Sequence, residues 1–183
     1  MVKGKPSILH FASLAFQLAL FDTRGLYRRS VIGPFWLTIS MGVTAATLGF
    51  VFGTIFNSPM ETLLPSITAG LIFWGLISSC INEGCSCFVQ SEAIIKQLPI
   101  PYYVHLMRLC WRQLFILGHN LLVLPLVLLF FGKILSLLSV LLIPALILVM
   151  LCLSAIALVF GIVCARYRDL TQIVASIMQV SFY

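Results

Sequence analysis

Residues 134–170 read ILSLLSVLLIPALILVMLCLSAIALVFGIVCARYRDL. From Ile134 to Ala165 no residue carries a formal charge, and then Arg166, Arg168 and Asp169 fall within four positions. A helix rising 1.5 Å per residue needs about 20 apolar residues to cross about 30 Å of hydrocarbon. This run exceeds that length, so the chain crosses a membrane here. The charged corner then marks where it emerges.

The rest of the chain agrees. Of 183 residues, 61% are hydrophobic and only 9% charged, against about 45–50% and about 25% in a soluble domain. An ordinary water-facing surface cannot be built from so few charges. The net charge of +6 sits in short basic clusters between apolar runs. That pattern sets membrane topology and does not resemble a phosphate-tracking surface, so no nucleic-acid partner is expected.

Working outward from 134–170, the expected fold is an all-α integral membrane protein. It comprises an N-terminal amphipathic interface helix, four complete transmembrane helices and the start of a fifth. Residues 1–33 form the cytoplasmic N-terminus and interface helix, and residues 34–183 the transmembrane domain. The spans are expected over 35–56, 64–81, 109–131 and 135–163, with a partial span over 173–183. Pro144 is expected to bend the fourth, and Asn82 and Glu83 to close the second at its cytoplasmic end.

In the first helix His10, Ser13, Gln17, Arg24 and Arg28 cluster within about 60° on a helical wheel. Ile8, Ala12, Ala15 and Ala19 lie opposite. Such a helix rests in the interface with Arg24, Arg28 and Arg29 toward headgroups, and Gly25 is expected to bend or divide it. His10, Ser13 and Gln17 also interrupt the apolar core that a cleavable leader needs, so cleavage is not expected.

Orientation follows from the basic residues. With the N-terminus in the cytoplasm, ten of the eleven Lys and Arg residues lie inside and Lys133 alone outside, the asymmetry that the positive-inside rule requires. The segment SEAIIKQLP at 91–99 is then a short cytoplasmic helix bearing the i, i+4 pair Glu92 and Lys96 and ended by Pro99.

Catalytic chemistry is absent from the pattern. There is no G-x-x-x-x-G-K-[ST] loop, no H-E-x-x-H and no G-x-S-x-G. Cys85 and Cys87 lack a second pair or a nearby histidine, so neither metal nor cofactor is expected, and the six cysteines read as apolar fillers. Polar or aromatic groups within the spans are the remaining pointers. His119 and Asn120 either hydrogen-bond between helices or line a path. Phe73 and Trp74 either pack or offer a stacking surface to sugar rings. Gly42, Ala46, Gly49 and Gly53 form a small-residue face expected to pack within the subunit.

Three stretches together resemble one family. YRRSVIGPFW at 27–36 is similar to the Y-R-x-S-x-L-G-x-x-W signature of type-2 ABC-transporter permeases, in the branch that exports O-antigen, capsule and teichoic acid. ARYRDLTQIV at 165–174 resembles that family's A-R-[YF]-R-D-[LI] motif, and SEAIIKQLPIP at 91–101 its cytoplasmic helix between spans two and three. The resemblance implies six spans, so the sequence is expected to be C-terminally incomplete.

It also implies a permease in the bacterial cytoplasmic (inner) membrane that pairs with a second copy, as a homodimer, and with two ABC ATPase subunits. Those subunits would bind ATP and Mg, and the substrate would be a lipid-linked glycan. Ser91, Glu92, Lys96, Arg166, Arg168 and Asp169 are the residues expected to meet the ATPase. Two other readings fit the same composition: a drug or lipid exporter of the same superfamily, and a membrane scaffold with no transport path.

Overall fold

The computed structural model describes residues 8–26, 30–97, 100–133 and 140–182. Among these the chain is helical throughout, with no strand. The order is α1 (Ile8–Leu26), α2 (Phe35–Phe56), α3 (Met60–Gln90), α4 (Glu92–Gln97), α5 (Tyr102–Leu121), α6 (Val123–Phe130), α7 (Leu142–Arg166) and α8 (Asp169–Val180). Four helical stretches are long and apolar enough to cross a membrane: Phe35–Phe56, Met60–Gln97, Tyr102–Phe130 and Leu142–Arg166. Helices are what hydrocarbon permits, because each backbone N–H and C=O is satisfied within its own segment.

Turn chemistry sets the boundaries. Gly33 at φ +63° leads through Pro34 into α2, and Asn57 at φ 48° closes that helix in the left-handed region. Pro59 and Pro101 precede the first residues of α3 and α5, where a missing N–H costs nothing. The third span is not one helix as expected. α5 ends at Leu121 and α6 begins at Val123, because Pro125 cannot donate to the Leu121 carbonyl four residues back. Pro144 lies in the first turn of α7, among donors that have no helical partner in any case, and residues 135–139 of the expected fourth span lie outside the described residues.

The second span also differs. Asn82 and Glu83 were expected to close it, yet α3 continues for 31 residues to Gln90. Asn82 donates to Ser78 Oγ of the same helix at 3.2 Å while its Oδ1 is buried without a partner, and Glu83 accepts from Arg112 and Gln113 of α5. Gly25 does not divide α1, which is continuous and carries the glycine in its last turn.

α3 is the central helix, packing against α2, α5, α6, α7 and α8. Ile72, Leu76 and Cys80 meet Leu117 of α5 with Met150 and Leu153 of α7 in the main core. Lys133 donates to the Glu61 carbonyl at 2.6 Å, tying the far end of the α5–α6 span to the start of α3. That is the end bearing the single expected external cation.

The small-residue face of α2 packs inside the subunit. Cβ atoms built at Gly49 and Gly53 would meet Leu64, Met60 and Leu63 of α3, while Ala46 is exposed. A tighter crossing joins α3 to α7. A Cβ at Gly84 would sit 2.7 Å from that of Ala157, and one at Gly161 would sit 3.0 Å from the Gly84 carbonyl and 2.9 Å from the Phe88 ring. All three separations are below ordinary contact distance, and at both glycines the obstacle includes backbone. We predict that Gly84→Val and Gly161→Val each destabilise the fold by about 1–3 kcal/mol through overpacking. The measurement is thermal unfolding of the detergent-solubilised chain, with Gly70→Val, where nothing lies within 4 Å, as the control that should change little.

Candidate functional site at the basic end of the bundle

α1 is built as an amphipathic helix. His10, Ser13, Gln17 and Arg24 are exposed, while Ala15, Ala19 and Thr23 are buried against α5. Rings reinforce this contact: Phe16 lies edge-on to Trp111 at 5.0 Å and to Phe115 at 5.6 Å, and Phe11 edge-on to Tyr103 at 6.0 Å. Arg28 and Arg29 lie outside the described residues.

Asp22 sits on the buried side of α1, one turn beyond Ala19. Arg108 Nε donates to its Oδ2 at 2.5 Å and Arg108 Nη2 to its Oδ1 at 2.6 Å. This two-pronged geometry is the strongest a guanidinium offers a carboxylate. The side chains are only 23% and 20% exposed, so neither ion has ample water as an alternative partner.

One turn further along α5, Arg112 Nη2 donates to Glu83 Oε2, as does Gln113 Nε2 at 2.6 Å. Ser79 in turn donates to Gln113 Oε1 at 2.8 Å. A chain of polar contacts therefore runs from mid-α3 toward the basic end. Between the two ion pairs lies a cavity of about 140 Å3 lined by Asp22, Gln90, Ser91, His105, Arg108 and Arg112. Cys87 borders it and donates to the His105 carbonyl across 3.6 Å.

The expected coupling residues divide into two kinds. Glu92 and Lys96 form their pair on α4 at 2.5 Å, and Arg168 approaches Glu92 to 3.7 Å. Two segments more than seventy residues apart in sequence thus meet at one exposed surface. Local chemistry shapes the corner. Arg166 ends α7, Tyr167 is extended at φ −120°, ψ 90°, and Asp169 opens α8. Arg166 and Asp169 suit the helix dipoles beside them, whereas Arg168 sits at the N-cap of α8, where a cation does not. Ser91 is different: it is 6% exposed and lines the cavity.

The mid-span residues have separate partners. Trp74 packs beside Phe182 with ring centroids 6.2 Å apart, and Phe73 is half-buried next to it. His119 Nδ1 lies 2.8 Å from the Phe115 carbonyl, its ring meets Phe35 edge-on, and its own carbonyl accepts from Thr38 of α2 at 2.9 Å. Asn120 is buried with Oδ1 unpaired. Cavities of about 140, 290, 420 and 370 Å3 occur elsewhere, and these four residues line none of them.

Sequence reasoning missed Asp22, Arg108, Gln113 and His105. Asp22 carried a readable signal: it is an acid on the apolar side of an amphipathic helix, which demands a buried cation.

A bundle with four membrane-length apolar helices and paired charges at one end defines a polytopic helical membrane protein. Residues 15–183 match the family described as ABC-2 type transporter, and the chain belongs to that family. It is therefore the membrane-embedded permease of an ABC transporter, a transport subunit that works with an ABC ATPase. No curated protein matches the chain.

We predict that Asp22→Asn and Arg108→Gln each lower stability by about 2 kcal/mol. That is less than the ~3–5 kcal/mol of a wholly buried pair, since about a fifth of each side chain reaches solvent. The double variant should recover part of the loss, and thermal unfolding of all four proteins measures the coupling.

Proposed function

We propose that this permease exports a lipid-linked polysaccharide or polyol-phosphate polymer across the bacterial cytoplasmic membrane. It would act as a homodimer with two ATPase subunits that bind ATP and Mg. The N-terminus and the basic end face the cytoplasm, as the ten-to-one distribution of basic residues supports. The choice of substrate rests on the motifs at 27–36 and 165–174.

The observation that carries the coupling role is the meeting of α4 with the 166–169 corner through Arg168 and Glu92. A chain with no nucleotide loop receives its energy by contact, and this joint lets one docked partner push on α3, α7 and α8 together. Glu92, Lys96, Arg166, Arg168 and Asp169 are exposed and form the docking surface. A path role for Phe73, Trp74, His119 and Asn120 rests on their mid-span position, with aromatic faces able to stack on the C–H side of sugars, and packing between helices is the alternative reading.

Two measurements test this reading. In a variant without its six cysteines, new cysteines at Ser58 and Lys133 should react with an impermeant reagent from outside, and one at exposed Ala93 only from the cytoplasm. External labelling of position 93 overturns the orientation. The charge swap Glu92→Lys with Lys96→Glu keeps the i, i+4 pair but sets Lys against Arg168. Membrane abundance should stay normal while export falls several-fold, and full export by the swapped protein excludes this surface as the coupling element. For the path, Phe73→Ala with Trp74→Ala should lower export per molecule at unchanged abundance.

A further inference from the structure

The cavity between the two ion pairs has an excess of hydrogen-bond donors. Both oxygens of Asp22 already accept from Arg108, and Glu83 Oε2 accepts from Arg112 and Gln113. Arg112 Nε is buried with no partner, and so are both ring nitrogens of His105, a residue only 1% exposed. A guanidinium Nε is always a donor, and a neutral imidazole always carries one N–H. The Ser91 hydroxyl adds a donor to the same lining, while the Gln90 amide nitrogen already donates to Ser86 Oγ at 2.9 Å. Leaving such groups unpaired costs about 1–3 kcal/mol each. The second imidazole nitrogen is an acceptor, so the demand for acceptors comes from Arg112 Nε, the His105 N–H and the guanidinium N–H groups of Arg108 and Arg112 that face no carboxylate.

Water is a poor answer to that demand. The space of about 140 Å3 far exceeds the ~10–15 Å3 that one water requires, but each water brings as many donors as acceptors and leaves the excess in place. An oxyanion brings acceptors alone. We propose that this cavity binds a phosphate-type oxyanion, held by Arg108, Arg112 and Ser91. The two guanidiniums are already matched by two carboxylates, so attraction comes from directed N–H groups and not from net charge. That favours a singly charged phosphate over a dianion. The cavity lies at the basic end of the bundle and is lined in part by Asp22 of the amphipathic helix α1, so a phosphodiester headgroup and free phosphate are the two sources of this chemistry. The assignment does not depend on which polymer is exported.

The test uses the full chain in two arms. In the first, the chain is delipidated in a maltoside detergent and titrated with inorganic phosphate, with chloride at equal ionic strength as control. In the second, it is reconstituted in nanodiscs of phosphatidylglycerol or of a phosphate-free galactolipid with the same acyl chains. Retained lipid is then counted by native mass spectrometry. A headgroup source predicts about one phosphatidylglycerol retained per chain, no retained galactolipid and no response to inorganic phosphate. A free source predicts a saturable shift in unfolding temperature with phosphate and no preference between lipids.

Variants locate the site. Losing one charge-assisted donor in Arg108→Gln should weaken the bound species about tenfold or more. Asp22→Asn, which releases the donors of Arg108, should tighten it. Ser91→Val removes a donor and fills space without touching either ion pair, and should weaken binding even if Arg108→Gln does not fold. The proposal is overturned if the wild-type chain prefers neither phosphate over chloride nor phosphatidylglycerol over galactolipid, or if Ser91→Val and Asp22→Asn both bind as wild type does.

Discussion

A carboxylate at the edge of hydrocarbon has to be paired, and Asp22 and Glu83 both meet that demand with arginines of α5. Desolvating a lone ion costs several kcal/mol, so neither acid can sit where it does unless its partner is in register. This constraint fixes α1 against α5 and α5 against α3. Arg108 and Arg112 are one helical turn apart, and each reaches a different neighbour. A single face of α5 therefore sets the positions of two other helices. The glycine crossing of α3 with α7 completes the frame on the opposite side, where the absence of side chains lets backbone approach backbone.

From that frame the basic end acquires two distinct regions. One is inward: the polar cavity bounded by α1, α3 and α5. The other is outward: the exposed charges of α4 and of the corner between α7 and α8. Ser91 stands between them, facing inward at the last bend of α3 while its neighbour Glu92 faces out. α4 begins one residue from the cavity-lining Ser91, and Arg168 of the corner between α7 and α8 comes within 3.7 Å of Glu92.

Much of this architecture was legible in the sequence, because hydrocarbon imposes a crude and strong pattern. The apolar runs gave the four spans, and the wheel of α1 placed His10, Ser13, Gln17 and Arg24 on the exposed face. The motif at 165–170 was placed correctly at a helix–helix corner. What escaped was long-range satisfaction of polar groups. Asn82 and Glu83 look like a helix end in isolation, yet α3 continues through them, with the Glu83 carboxylate taken up by Arg112 and Gln113 some thirty residues later. The break at Leu122 was written locally in Pro125. The unpaired Arg112 Nε and His105 ring nitrogens were not legible, since they depend on which arginine contacts each acid accepts.

The central claim is that paired charge, and not amphipathicity alone, holds α1 to the bundle. Hydrogen–deuterium exchange of the full chain in nanodiscs tests it most directly, comparing amides of α1 with those at the start of α5 in wild type and Asp22→Asn. The account predicts that α1 is protected to a similar degree as α5 in the wild type and exchanges at least tenfold faster in the variant, while mid-span amides of α3 are unchanged. An α1 whose protection is the same in both proteins would contradict it, showing that the helix is held by its apolar face and the lipid surface alone.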